Sequence, residues 1–170
     1  MYDGLYPDPN PFQNTIDMLG ESIISKERHL QFYQWLIDQI KIDELSPIPS
    51  LSPAQTKELL AILEFIKDEE LDHANILYNM YYRLTGTHAP LYEGIFQPPE
   101  NLIEGFRNIL VETLESVQKY RSIINGLQYP SDRYLISNII SEELNHVDLL
   151  SNITFYLNNL LTRYSIKMKK

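Results

Sequence analysis

At 170 residues the chain is long enough for one domain with a real buried core. Its net charge of -9 and pI near 4.8 argue against a nucleic-acid surface. With no cysteine, disulfides, thiol catalysis, zinc fingers and cysteine-ligated iron are all excluded. No apolar run approaches the ~20 residues of a membrane span. The start, Met1 to Pro7, lacks the basic and apolar regions of a signal peptide, so the expected location is the cytoplasm.

Residues 1–11 are rich in Pro, Tyr and Asp and read as an extended lead-in. A first helix is expected with Asn10 as N-cap and Pro11 as its first residue, ending near Ile42. Its apolar stripe is Ile16, Leu19, Ile23, Leu30, Tyr33, Ile37 and Ile40, with one gap, at Lys26 or Glu27. Ser46 to Ser50 is a Pro/Ser connector. Ser52, Pro53 and Gln55 form a capping box that starts a second helix. Its stripe runs Leu59, Leu63, Ile66, Glu70, His73, Leu77, Met80 and Leu84, and Gly86 supplies the C-cap. Glu70 and His73 therefore face inward, while Glu69 and Asp72 read as solvated.

From Gly86 to Pro99 the helical period stops. A return along the bundle requires about 35–40 Å, from roughly a dozen helical residues on either side at 1.5 Å each. Fourteen extended residues reach about 46 Å. The segment therefore suits a long crossover between two antiparallel helical hairpins. A third helix follows Pro99, with Glu100 and Glu104 in its first turns. Its stripe is Phe106, Leu110, Leu114, Val117, Tyr120 and Ile124, with Glu112 and Glu115 beside it. A short turn from Gly126 to Pro130 leads to a fourth helix from Ser131. That helix carries Ile136, Ile139, Glu143, His146, Leu150, Ile153, Leu157, Leu160 and Tyr164 inward, with Glu142 and Asn145 pointing away. The expected organisation is an all-α four-helix bundle over 12–165, with a basic tail at 166–170.

Two Glu-x-x-His motifs on two apolar stripes need a physical reason. An isolated buried carboxylate costs several kcal/mol, ~3–5 when an ion pair loses its partner. Glu70, Glu112 and Glu143 point toward one core at one height, with Glu115 and Glu27 expected to join them. Five carboxylates carry -5, and no matching inward basic set is evident in the sequence. Two divalent cations would supply +4. A Glu and a His one turn apart present an oxygen and an imidazole nitrogen to one ion. Di-iron bundles use a Glu from each of two helices and Glu-x-x-His from each of the other two. Mixed carboxylate and imidazole ligands suit iron or manganese, with zinc as an intruder. Tyr33 and Tyr120 lie close enough to support the ligands from behind. His29 and His88 read as ordinary residues.

On these residues the chain resembles a rubrerythrin-type member of the ferritin-like superfamily, over roughly 12–160. The stretches that carry the resemblance are Glu70-Leu71-Asp72-His73 leading to Gly86, Glu112-x-x-Glu115 before Tyr120, and Glu142-Glu143-Leu144-Asn145-His146. It implies a ferritin-like fold and a non-haem centre of two iron ions. The implied chemistry is reduction of hydrogen peroxide, or oxidation of Fe(II) by oxygen or peroxide. It also implies Glu112 and Glu115 as the ligands of the third helix. Two features depart from that family. There is no cysteine-ligated rubredoxin-like domain, so any electron donor is separate. The family's first-helix glutamate lies seven residues before a tyrosine, and seven before Tyr33 is Lys26. Glu27 is taken as the ligand. An inward Lys26 would replace one metal charge and leave one metal or none. Two other functions stay open: a structural, coat or assembly protein with a vestigial site, and iron storage, which needs a large hollow oligomer. No nucleic-acid or membrane partner is expected, and a homodimer is compatible with the sequence.

Overall fold

The computed structural model describes residues 11–41 and 51–168, with side chains followed as far as residue 160. Four helices make up the fold: α1 (Pro11–Lys41), α2 (Pro53–Thr85), α3 (Leu102–Gly126) and α4 (Pro130–Met168). The lead-in before Pro11, the Asn10 cap, the end of helix 1 at Ile42, the connector at 46–50, the side chain of Tyr164 and the last two residues lie outside the described residues. Helix α4 continues through Met168, into the stretch expected as a tail.

The ends of α2 follow from its sequence. Ser52 accepts from the Gln55 amide while the Gln55 side chain accepts from the Ser52 amide at 2.8 Å. Gly86 ends the helix at φ 70°, a left-handed conformation that costs glycine little. At α3, Asn101 caps the helix by accepting from the Glu104 amide at 2.9 Å, so Glu100 precedes the helix rather than opening it.

Contacts between side chains fix the topology. Lys41 pairs with Glu64, Lys67 with Gln34 and Tyr78 with Glu27, so α1 and α2 are antiparallel. Lys119 pairs with Glu21 and Glu112 with Arg28, so α1 and α3 are antiparallel. Gln55 meets Tyr156, Glu69 meets His146 and Arg83 meets Asp132, so α2 and α4 are antiparallel. It follows that α2 and α3 run parallel, and the chain crosses over between them from Gly86 to Asn101, as the loop length required. Backbones pack closely in the pairs α1/α2, α3/α4, α1/α3 and α2/α4, which leaves α2 and α3 on a diagonal.

The interior is split in two. One apolar cluster contains Phe32, Tyr33, Leu36, Leu63, Ile66, Phe106 and Leu150; the other contains Leu19, Ile23, Leu77, Met80, Tyr120, Ile136 and Ile139. Between them lies a layer of buried Lys26, His29, Glu70, His73, Glu143 and His146. The inward stripes of α1, α2 and α4 match the periodicity closely. On α3 the inward line is Phe106, Ile109, Thr113, Ser116, Val117, Tyr120 and Ile123, and Leu114 is exposed. Among the described residues no helix is long and apolar enough to cross a membrane.

Candidate metal centre

The two Glu-x-x-His motifs meet at the centre of the polar layer. Glu70, Glu143 and His146 have no exposed surface and His73 is 1% exposed. Oxygen and nitrogen atoms of Glu70, His73 and Glu143 lie within 4.8 Å of one another. The two histidines are held alike. His73 turns Nδ1 toward Glu143 at 3.0 Å and Nε2 toward Glu142 at 2.7 Å. His146 turns Nδ1 toward Glu70 at 3.3 Å and Nε2 toward Glu69 at 2.8 Å. Each imidazole thus has an inner carboxylate on one nitrogen and an outer carboxylate on the other, both from the opposite helix. An outer carboxylate accepting Nε2–H leaves the Nδ1 lone pair aimed inward, which is how metal-ligating histidines are oriented. Glu69 and Glu142, read from the sequence as pointing away, therefore belong to the site. Their signal was a doubled glutamate in both motifs.

Helix α1 brings Lys26 into the same space. Its ammonium donates to Glu70 Oε2 at 2.7 Å and to Glu143 Oε1, and the side chain is fully buried. Tyr120 lies beneath it, ring centroid 5.9 Å from Nζ. Burial alone would lower the lysine's affinity for its proton. Glu143 and Glu70 outweigh that and hold it well above its ordinary value. Burial likewise would raise both carboxyls, but Lys26 dominates and keeps Glu70 well below, and Glu143 below, the usual carboxylate range. His146 is raised, with Glu70 overcoming the cost of burial.

His29, taken from the sequence as ordinary, is 1% exposed and joins the layer. Nε2 lies 3.1 Å from Glu112 and Nδ1 lies 3.4 Å from Glu70. The Glu112 and Glu70 carboxylates raise it against the effect of burial. Its signal was its spacing from Lys26 and Tyr33, one turn along the same face. Beyond His29 is a cavity of about 270 Å³ beside the crossover, lined by Arg28, Phe32, Phe96, Gly105 and Glu112 among others.

Three expected ligands are elsewhere. Glu27 accepts from the Tyr78 hydroxyl and, at 2.6 Å, from the Tyr92 amide, because the helical period turns Lys26 inward and Glu27 toward α2 and the crossover. Glu112 sits at the rim, 37% exposed, against His29 and Arg28. Glu115 is exposed on the α1/α3 surface. The α3 position level with the site is Thr113, fully buried and donating to its own helix at Ile109 O at 2.7 Å. Tyr33 and Tyr120 are fully buried beside the layer, and neither hydroxyl bonds a carboxylate or imidazole of the site.

No family model and no curated protein matches the sequence. One solved structure resembles the fold with a TM-score of 0.68 and 18% identity, over 93% of this chain and 88% of the other. It is a bacterioferritin from Desulfovibrio desulfuricans, described as having a diiron site in different catalytic states. The fold is that of a ferritin-like four-helix bundle.

Within the ferritin-like bundle the donor set decides what fits. Glu70 Oε1, Glu143 Oε2 and His146 Nδ1 are buried without a hydrogen-bond partner, and the close grouping of Glu70, His73 and Glu143 suits one cation. A second ion does not fit. Neither α1 nor α3 turns a carboxylate into the centre, Glu112 being held at the rim by His29, and the Lys26 ammonium lies against both central carboxylates.

Proposed function

We propose that this chain is a metal-dependent redox protein built on the ferritin-like bundle, holding one divalent transition ion on Glu70, His73, Glu143 and His146. Iron is the first choice, with manganese or zinc as other occupants, since the donors are two carboxylates and two imidazoles. The observation that carries the reading is the pair of histidines, each fixed by an outer glutamate so that Nδ1 faces a buried inner carboxylate. Bound iron would supply one-electron redox chemistry and Lewis-acid activation of hydrogen peroxide or oxygen. The protein's own contribution is to hold the donors in a dry layer and fix the histidine tautomers through Glu69 and Glu142. The cavity beside His29 offers a small oxidant an approach from the crossover side. Peroxide reduction would draw electrons from a separate donor, since these 170 residues hold no cysteine for a rubredoxin-like iron.

Anaerobic Fe(II) titration tests the reading, followed by peroxide or oxygen consumption. Saturation at one ion per chain is expected, with His73→Ala and Glu143→Ala each abolishing it. Saturation at two would restore the di-iron expectation. Saturation at zero would overturn the proposal and select a second reading, that of a structural or assembly bundle. The buried Lys26 favours that alternative, because its ammonium is itself a counter-charge to both carboxylates.

A further inference from the structure

We infer that Lys26 is a built-in cation that takes the place of a second metal ion and makes folding of the bundle independent of metal. The inference holds whether or not one ion binds between the motifs. It begins with the internal symmetry of the layer. Glu69, Glu70 and His73 on α2 have counterparts in Glu142, Glu143 and His146 on α4, and each imidazole faces the other helix's pair of glutamates. The other two helices are related in the same way. Lys26 is seven residues before the buried Tyr33 on α1, and Thr113 is seven before the buried Tyr120 on α3. A symmetric two-metal bundle would take one carboxylate from each of these two helices. Here one position holds a cation and the other a hydroxyl turned onto its own backbone.

The charges show what this exchange achieves. Two glutamates at the α1 and α3 positions would leave four buried carboxylates that only metal could neutralise. With Lys26 and Thr113 the layer has two fully buried carboxylates, Glu70 and Glu143, and one ammonium bonded to both. The imidazoles of His29 and His146 add polar neighbours to Glu70, with Nδ1 at 3.4 Å and 3.3 Å. The lysine also ties α1 to both α2 and α4. It crosses the diagonal that the backbones of α1 and α4 do not bridge closely. Burying an ammonium is costly without partners, and both partners are in place.

The experiment compares chelator-treated proteins, so bound metal does not enter the first comparison. Metal-free wild type should melt cooperatively with full helical content. Metal-free Lys26→Met should melt lower, by on the order of 10 °C, because two buried carboxylates lose their counter-charge. Lys26→Arg should fall between them. Added Mn(II) should recover more of the Lys26→Met loss than it raises wild type, since the unpaired carboxylates then capture the ion. The double variant Lys26→Glu with Thr113→Glu should bind one more ion per chain than wild type by metal analysis. A metal-free wild type that lacks a cooperative melt overturns the inference, as does a Lys26→Met melt equal to wild type. Should Lys26→Met not fold without metal, the wild-type melt and the double variant's ion count still decide. A wild type that binds no metal yet melts cooperatively sinks only the proposed function.

Discussion

Glu27 offers the sharpest separation between ligand and clamp. Its carboxylate accepts the Tyr78 hydroxyl from α2 and the Tyr92 amide from the crossover, so it ties three segments together away from the centre. A hydrogen bond to a charged group contributes about 1.5–3 kcal/mol. Glu27 is only half-buried, and the freed Tyr92 amide can turn to water, so Glu27→Ala is expected to cost about 2–4 kcal/mol in total. For a chain of this size that lowers Tm by about 5–15 °C. Glu27→Gln keeps an acceptor and should lose less. Scanning calorimetry gives the Tm, and limited proteolysis should show faster cutting near the exposed Leu91 and Ile95. Metal stoichiometry should not change. An ion lost from Glu27→Ala with Tm intact would refute the clamp and return Glu27 to the metal site.

Three smaller perturbations follow from the same contacts. Tyr33→Phe should raise stability by about 1–3 kcal/mol in denaturant titration, because the buried hydroxyl has no partner and the edge contact with Phe32 is kept. Ser52→Ala should cost about 1 kcal/mol by losing the capping box on α2, measured in the same way. The Tyr78 phenol is pushed up to about 12, first by burial and then by its bond to Glu27. Its folded pKa lies above the unfolded ~10, so its contribution to stability is full below pH ~10 and lost as pH rises through about 12. Ultraviolet tyrosinate titration of wild type against Tyr78→Phe should reveal one late phenol, and a difference confined below pH 10 would contradict the assignment.

The fold was legible because three stripes keep the helical period, broken only by the gap on α1, and the loop after Gly86 has the length of a crossover. Glu70, His73, Glu143 and His146 were legible for the same reason: charged residues on an apolar line must have partners. The gap in the α1 stripe was visible, but Lys26 and Glu27 both fit its spacing from Ile23 and Leu30. The glutamate that the family resemblance implies on the first helix favoured Glu27. What the sequence could not display is that both core carboxylates approach one ammonium from two helices, which makes a buried lysine tolerable. On α3 the error was one of phase. Leu110 and Leu114 are the more apolar choice, yet Ile109 and Thr113 face inward. At that level the neighbours are charged, so a small side chain bonded to its own helix fits where a leucine would crowd them. His29 escaped because a histidine one turn from a lysine reads as surface until the lysine is known to be inside.

The polar layer also bears on how uniquely the chain folds. It separates two apolar clusters along the bundle axis, so sliding one helix by a turn would place Lys26 against aliphatic side chains and leave Glu70 and Glu143 unpaired. A buried ion pair contributes little net stability over an apolar packing of similar volume, but it penalises every wrong register. We therefore expect the triple variant Lys26→Met, Glu70→Leu and Glu143→Leu to melt at or above wild type, because no charge is left unpaired. Its order should suffer instead, with weaker near-ultraviolet dichroism, broader NMR amide lines and mixed oligomers on size exclusion. A triple variant that is both as ordered as wild type and more stable would show that the layer sets no register. The two Glu-x-x-His motifs and Lys26 would then have to be explained by ligand binding alone.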